Sequence, residues 1–140
     1  MKGRVLITGG AGFIGSHVAD ELLKSGYAVR ILDNLNPQVH GRMNGPPEHL
    51  DPEAEFIEGD IRNMQALRKA MENVTHICHL AAEVGVGRSM YEIEKYTSIN
   101  TLATATLLQA LIEKPVEKLV VASSMSVYGE GLYQSRSGEL

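Results

Sequence analysis

Short apolar runs alternate with helix-spaced apolar residues along most of this chain. Arg4-Val5-Leu6-Ile7 is a β-branched run that stops at glycines, which predicts a buried strand. Apolar residues then recur four apart at Ile14, Val18 and Leu22, predicting one inward helix face with Gly26 as its stop. Ala28–Leu32, Ala54–Glu58, His76–Leu80 and Lys118–Ala122 read as four further strands. Asn63 is placed to cap a helix running to about Met71, with Leu67, Ala70 and Met71 inward. A longer helical stretch runs from Ser89 to Ile112, broken near Thr97 and closed by Pro115. Its second half carries Leu102, Thr106, Leu107, Ala110 and Leu111 on one side. From Asn34 to Pro52 the pattern disappears. Pro37, Pro46, Pro47 and Pro52 fall there, predicting a long loop of the kind that often carries function.

Strands alternating with helices predict a parallel sheet with right-handed crossovers. Strands apolar throughout predict a sheet covered on both faces. The expected fold class is therefore α/β, a doubly wound parallel sheet of order 3-2-1-4-5. At 140 residues there is room for one core and not two, so residues 1–140 are expected to form one domain.

Composition narrows the function. Apolar residues make up 44% and charged residues 21%, an ordinary soluble balance. The net charge of -4 gives no broad positive field, so nucleic acid is not an expected partner. No apolar run approaches the roughly 20 residues of a membrane helix. Glycines interrupt the apolar run in MKGRVLITGG, which argues against a secretory signal. Cys78 stands alone, so no intrachain disulfide forms, and a reducing cytoplasm is expected.

TGGAGFIG follows the first strand and opens the first helix. Gly9, Gly12 and Gly15 are spaced for a tight turn, a close backbone approach to a pyrophosphate, and close helix–strand packing. The helix start at Phe13, Ile14 and Gly15 then offers free N–H groups and a positive dipole end to phosphates. Asp33 ends the second strand, where a carboxylate takes the ribose hydroxyls of NAD. The same carboxylate would repel the 2′-phosphate of NADP. Asn34 stands where an NADP site more often places Arg, and Arg30 lies within the strand, out of reach. The plain alternatives are a turn glycine cluster with a capping Asp, and an Arg42 that folds back to serve NADP.

TGGAGFIGSH, LDN, GDI, HLAA, Asn100 and SSMSVYG, in this order, make the whole chain resemble the extended short-chain dehydrogenases/reductases. Within them it is most similar to the NAD-dependent nucleotide-sugar 4-epimerases of the epimerase/dehydratase group. The resemblance implies a Rossmann-like NAD-binding domain and a nucleotide-sugar substrate. It implies that Asp60 and Ile61 meet the adenine, Asp60 toward its amino group. Leu80, Ala81 and Ala82 would line the cofactor, Asn100 would structure the site, Ser123 would lie beside the cofactor, and Ser124 would be the catalytic hydroxyl. Without the family, Asp60 reads as a turn residue, Asn100 as a solvated helix position, and Ser123 and Ser124 as backbone caps. Cys78 reads as core. Strand alternation puts His76 and Cys78 on one face and His79 on the other, so no metal is expected.

In such enzymes a Tyr, with a Lys four residues on, takes a sugar hydroxyl proton while NAD accepts hydride, giving a 4-ketosugar. Related dehydratases carry an Asp-Glu pair after the Ser/Thr, where this chain has Met125 and Ser126. The one Tyr-x-x-x-Lys here is Tyr91–Lys95, which precedes Ser124 instead of following it, and it reads as a decoy. The resemblance puts the true pair, the last strands and the substrate domain beyond Leu140. The expectation is a truncated cofactor domain, inactive alone, homodimeric or self-associating. A dehydratase or reductase of the same family, and a non-enzymatic NAD-binding module, stay open.

Overall fold

A computed structural model of the chain describes residues 2–43, 45–129, 131 and 136–138. Each apolar run forms a strand: β1 (Arg4–Thr8), β2 (Ala28–Asp33), β3 (Glu55–Glu58), β4 (His76–His79) and β5 (Lys118–Val121). All pair in parallel, in the order β3-β2-β1-β4-β5. Helix α1 (Phe13–Lys24) links β1 to β2. A short α2 (Pro37–His40) lies inside the stretch read as pure loop, started by the Asn36 side chain, which accepts from the Gln38 N–H. Helix α3 (Met64–Ala70) links β3 to β4. Between β4 and β5 come α4 (Val86–Ser89), α5 (Ile93–Tyr96), a π-helical stretch Thr97–Leu102 and α6 (Ala103–Glu113).

The strands bury alternate residues into two apolar layers. Leu6, Leu32, Ile61, Leu67, Ile77 and Leu107 pack together against α3 and α6. Val5, Ile7, Ala19, Val29 and Ile31 pack against α1 on the other face. Cys78 joins that second layer at its edge, where burial pushes its thiol up. Asn63 caps α3 with bonds from the Gln65 and Ala66 N–H groups, and Leu67, Ala70 and Met71 are buried as the spacing predicts.

Two expectations need correction. Ile14 is 64% exposed, because the first turn of α1 overhangs the end of the sheet instead of lying on it. Leu102 is 59% exposed while Ala103 is fully buried. The π-helical turn holds an extra residue and shifts the inward face by one position, which a period of 3.6 cannot foresee. β5 is covered less than a central strand. Leu119 packs on the core, but Val120 and Val121 are half exposed, since β5 is the sheet edge among the described residues.

Arg30 is buried on β2 and caps α3. Its guanidinium donates to the carbonyls of Ala70 and Glu72, both at 2.7 Å, and pairs with Glu55 at 2.9 Å. A cation there complements the helix C-terminus, and it is turned away from the glycine loop.

His79 stitches the layers together. Its Nδ1 lies 2.7 Å from Thr8 Oγ1 and its Nε2 lies 3.0 Å from Thr104 Oγ1. Thr104 spends its own proton on the Asn100 carbonyl at 2.7 Å. Nε2 must therefore donate to Thr104, and in the neutral ring Nδ1 accepts from Thr8. Burial also lowers the His79 pKa below its ordinary value. The unfolded chain then binds a proton that the folded chain refuses, so stability falls as pH drops below about 6.5. Urea unfolding at pH 7.5 and 5.5 should show this loss, with a slope of at most about 1.4 kcal/mol per pH unit from this group. His79→Gln should flatten it. Equal slopes in the two proteins would contradict the assignment.

Candidate cofactor site

The turn between β1 and α1 is built by backbone meeting backbone. Gly9 adopts φ 70°, and a Cβ on it would stand 2.7 Å from the Ala81 nitrogen on the loop after β4. A Cβ on Gly15 would stand 2.5 Å from Gly10 Cα and 2.6 Å from the Gly9 carbonyl oxygen. Helix α1 can therefore start directly over the end of β1. Gly12 differs, because a Cβ there would meet only the Gly9 oxygen at 3.5 Å. Gly12 also caps α1 without a side chain, so the first-turn N–H groups have no side-chain acceptor. Open space, unpaired donors and a positive helix end at one point suit a phosphate group.

Asp33 ties this turn to the next loop. One carboxylate oxygen accepts the Ala11 N–H at 3.1 Å and the other accepts the Leu35 N–H at 3.0 Å. The side chain is buried, with His40 Nε2 3.7 Å away. Each oxygen keeps a lone pair for a ribose hydroxyl. The His40 contact has no local sequence signal, since it depends on how α2 folds back.

The other expected residues surround the same end of the sheet. Asp60 accepts from the Arg62 backbone N–H and guanidinium and, at 3.4 Å, from Asn34 Nδ2. The Arg62 hydrogen bonds hold its carboxyl below the ordinary range, against the opposing effect of burial. Ile61 turns its side chain into the core. Leu80 packs in the α1-side layer, Ala81 donates its N–H to Thr8 Oγ1 at 3.3 Å, and Ala82 is exposed. Phe13 is 80% exposed beside Ile14 at the helix start.

Asn100 sits in the π-helical stretch and grips residue 83 from both sides. Its Oδ1 accepts the Glu83 N–H at 2.7 Å, and its Nδ2 donates to the Glu83 carbonyl at 3.0 Å. Ser123 and Ser124 follow β5 on the surface. Ser124 Oγ accepts the Ser126 N–H at 3.1 Å, capping a 3-10 turn over Met125–Tyr128, and keeps its own proton to donate. Tyr91 is 89% exposed, while Lys95 is engaged by Glu83 at 2.9 Å and Glu92 at 3.2 Å. Glu83 itself is a buried acid that no motif in the sequence marks.

Comparison with known proteins decides the family. The profile of the NAD dependent epimerase/dehydratase family matches residues 5–139. The chain belongs to that family. It is 33% identical to a dTDP-L-rhamnose 4-epimerase of Burkholderia thailandensis over 98% of this chain and 39% of that protein. It is 38% identical to a UDP-glucose 4-epimerase of Dictyostelium discoideum over 91% of this chain and 38% of that one. A crystal structure of Brucella ovis UDP-glucose 4-epimerase with NAD superposes with TM-score 0.81 at 34% identity, covering 94% of this chain and 38% of the other. The chain thus spans about two fifths of the length of the proteins it matches. The epimerase/dehydratase family uses NAD, and the Gly12 cradle fits its pyrophosphate.

Gly12 and Gly15 should respond differently to alanine. Gly15→Ala must push backbone apart and should cost roughly 1–3 kcal/mol of stability. Gly12→Ala should stay within about 1 kcal/mol of the parent, yet lose most of its NAD affinity because the methyl group fills the phosphate space. Calorimetric unfolding paired with NAD titration checks both. A Gly12→Ala chain that binds NAD normally would remove the phosphate from this turn.

Proposed function

We propose that this chain is the NAD-binding part of a nucleotide-sugar 4-epimerase. The observation that carries the reading is the start of α1, open at Gly12 and tied through Ala11 to the Asp33 carboxylate. That arrangement offers donors to a pyrophosphate and, one loop away, an anionic acceptor to a ribose. Relatives that act on dTDP- and UDP-sugars support the substrate class. A cytoplasmic setting goes with this reading.

When bound, NAD supplies a reversible hydride acceptor for the carbon whose configuration is inverted. This chain's residues hold that group in place. Gly9, Gly12, Phe13, Ile14 and Gly15 present backbone to the pyrophosphate, and Asp33 and Asn34 face the adenosine ribose. Asp60 accepts from the adenine amino group. Leu80, Ala81, Ala82, Asn100 and Ser123 form the opposite wall. The Ser124 hydroxyl donates to the sugar oxygen that becomes a carbonyl. Met125 and Ser126 carry no carboxyl, so elimination of water lacks its acid and base, which favours epimerase over dehydratase.

A base for the sugar hydroxyl needs a suitable pKa and hydrogen-bond reach. Lys95 cannot assist Tyr91 while it pairs with Glu83 and Glu92. The 140-residue chain should therefore bind NAD without turning over UDP- or dTDP-hexoses. Titration with both oxidised cofactors should give tighter binding of NAD than of NADP. Asp33→Ala should narrow the gap, costing NAD roughly 1.5–3 kcal/mol for the lost charged acceptor. Equal or tighter NADP binding contradicts the cofactor assignment. Turnover that Tyr91→Phe abolishes contradicts the site assignment.

A further inference from the structure

Two loops flank the glycine turn, and they are joined above it. Thr8 at the end of β1 is level with Leu32 on β2 and with His79 on β4. Asn36 lies four residues beyond Leu32, and Glu83 lies four residues beyond His79. These arms of equal length meet: Asn36 Nδ2 donates to Glu83 Oε2 at 3.1 Å. Because β1 stands between β2 and β4, this bond crosses the crevice at the carboxyl end of β1. Ligands of doubly wound sheets lie in that crevice.

Each end of the bridge is anchored. Glu83 is 6% exposed, and its other oxygen takes Lys95 Nζ at 2.9 Å. The hydrogen bond to Glu83 is the main cause that raises the Lys95 pKa. Asn100 fixes the Glu83 backbone at both its N–H and its carbonyl. On the far side, Asn36 Oδ1 accepts the Gln38 N–H at 3.1 Å, and its own N–H donates to Asn34 Oδ1 at 3.2 Å. Gln38 also reaches Lys95 at 3.5 Å, a second and weaker crossing. A buried carboxylate costs several kcal/mol in lost hydration unless it is paired. A hydrophobic residue would fill the same space at less cost. The acid is the element that lets the two arms join.

We propose that Glu83 is a positioning residue that clasps Asn36 over the dinucleotide, so that NAD enters and leaves only when this bond opens. The clasp rests on the NAD-binding reading above. It also gives Lys95 of the decoy motif a task, holding the Glu83 carboxylate toward Asn36.

Stopped-flow binding of NAD to the 140-residue chain tests it through two rates. Asn36→Asp keeps the side-chain oxygen that caps α2 but sets a second carboxylate against Glu83. Both the association and the dissociation rate should rise, roughly tenfold each, the worth of one hydrogen bond to a charged acceptor. Adding Glu83→Gln should bring both rates back toward the parent, with donor and acceptor exchanged across the bridge. A purely structural role would speed dissociation alone and allow no such rescue. An unchanged association rate overturns the clasp. A faster association with unchanged dissociation also overturns it, since the arms would then block the crevice and not close over its occupant. Failure of the unmodified chain to bind NAD would overturn the proposed function and the clasp together.

Discussion

The site depends on one steric constraint, the absence of any room for a Cβ between Gly15 and the backbone of Gly10. Where α1 begins is fixed by that contact. The helix cannot ride up from the sheet without opening the turn, and it cannot slide without losing the fit of Ala19 against Val5 and Ile7. The helix end is thereby held over the end of β1, its N–H groups aimed at one point. Backbone packing of this kind is stiffer than any side-chain arrangement, because no rotamer can relax it. Gly9 extends the same constraint to the neighbouring loop through its approach to Ala81.

Polar groups then connect the loops around that fixed point. Asp33 joins the glycine turn to the segment after β2 by accepting one N–H from each. Asn100 joins the segment after β4 to the long helical region. Glu83 joins the segments after β2 and β4 to each other. His79 supports the arrangement from below, in the core, where its two ring nitrogens meet the Thr8 and Thr104 hydroxyls. Three loops that would move separately are thus held as one rim. The desolvation cost of burying Asp33 and Glu83 is offset because each carboxylate oxygen accepts a hydrogen bond.

Much of this was legible in the sequence, and the physics says why. Strands, α1 and α3 are written in local periodicity, and the topology follows from their alternation. Gly9, Gly12, Gly15 and Asp33 are legible because their spacing reflects a turn that few other residues can make. The π-helical shift at Thr97–Leu102 was not legible, since it changes the phase of the helix without changing its composition. A period of 3.6 therefore puts Leu102 on the apolar side, while the folded chain exposes it. Nor was the Glu83 bridge. Its partners Asn36 and Lys95 lie 47 and 12 residues away, and no local pattern marks a carboxylate as one that the fold will bury.

The glycine turn sets one crevice at the carboxyl ends of β1, β2 and β4, the place proposed for the cofactor. Amide chemical shifts of the isotope-labelled chain, recorded as NAD is added, test this directly. The largest changes should fall at Ala11 to Gly15, at Asp60 and Ile61, and at Ala81 to Glu83, with the face of α6 unmoved. Shifts concentrated away from the carboxyl ends of β1, β2 and β4, or no shifts at saturating NAD, would contradict it.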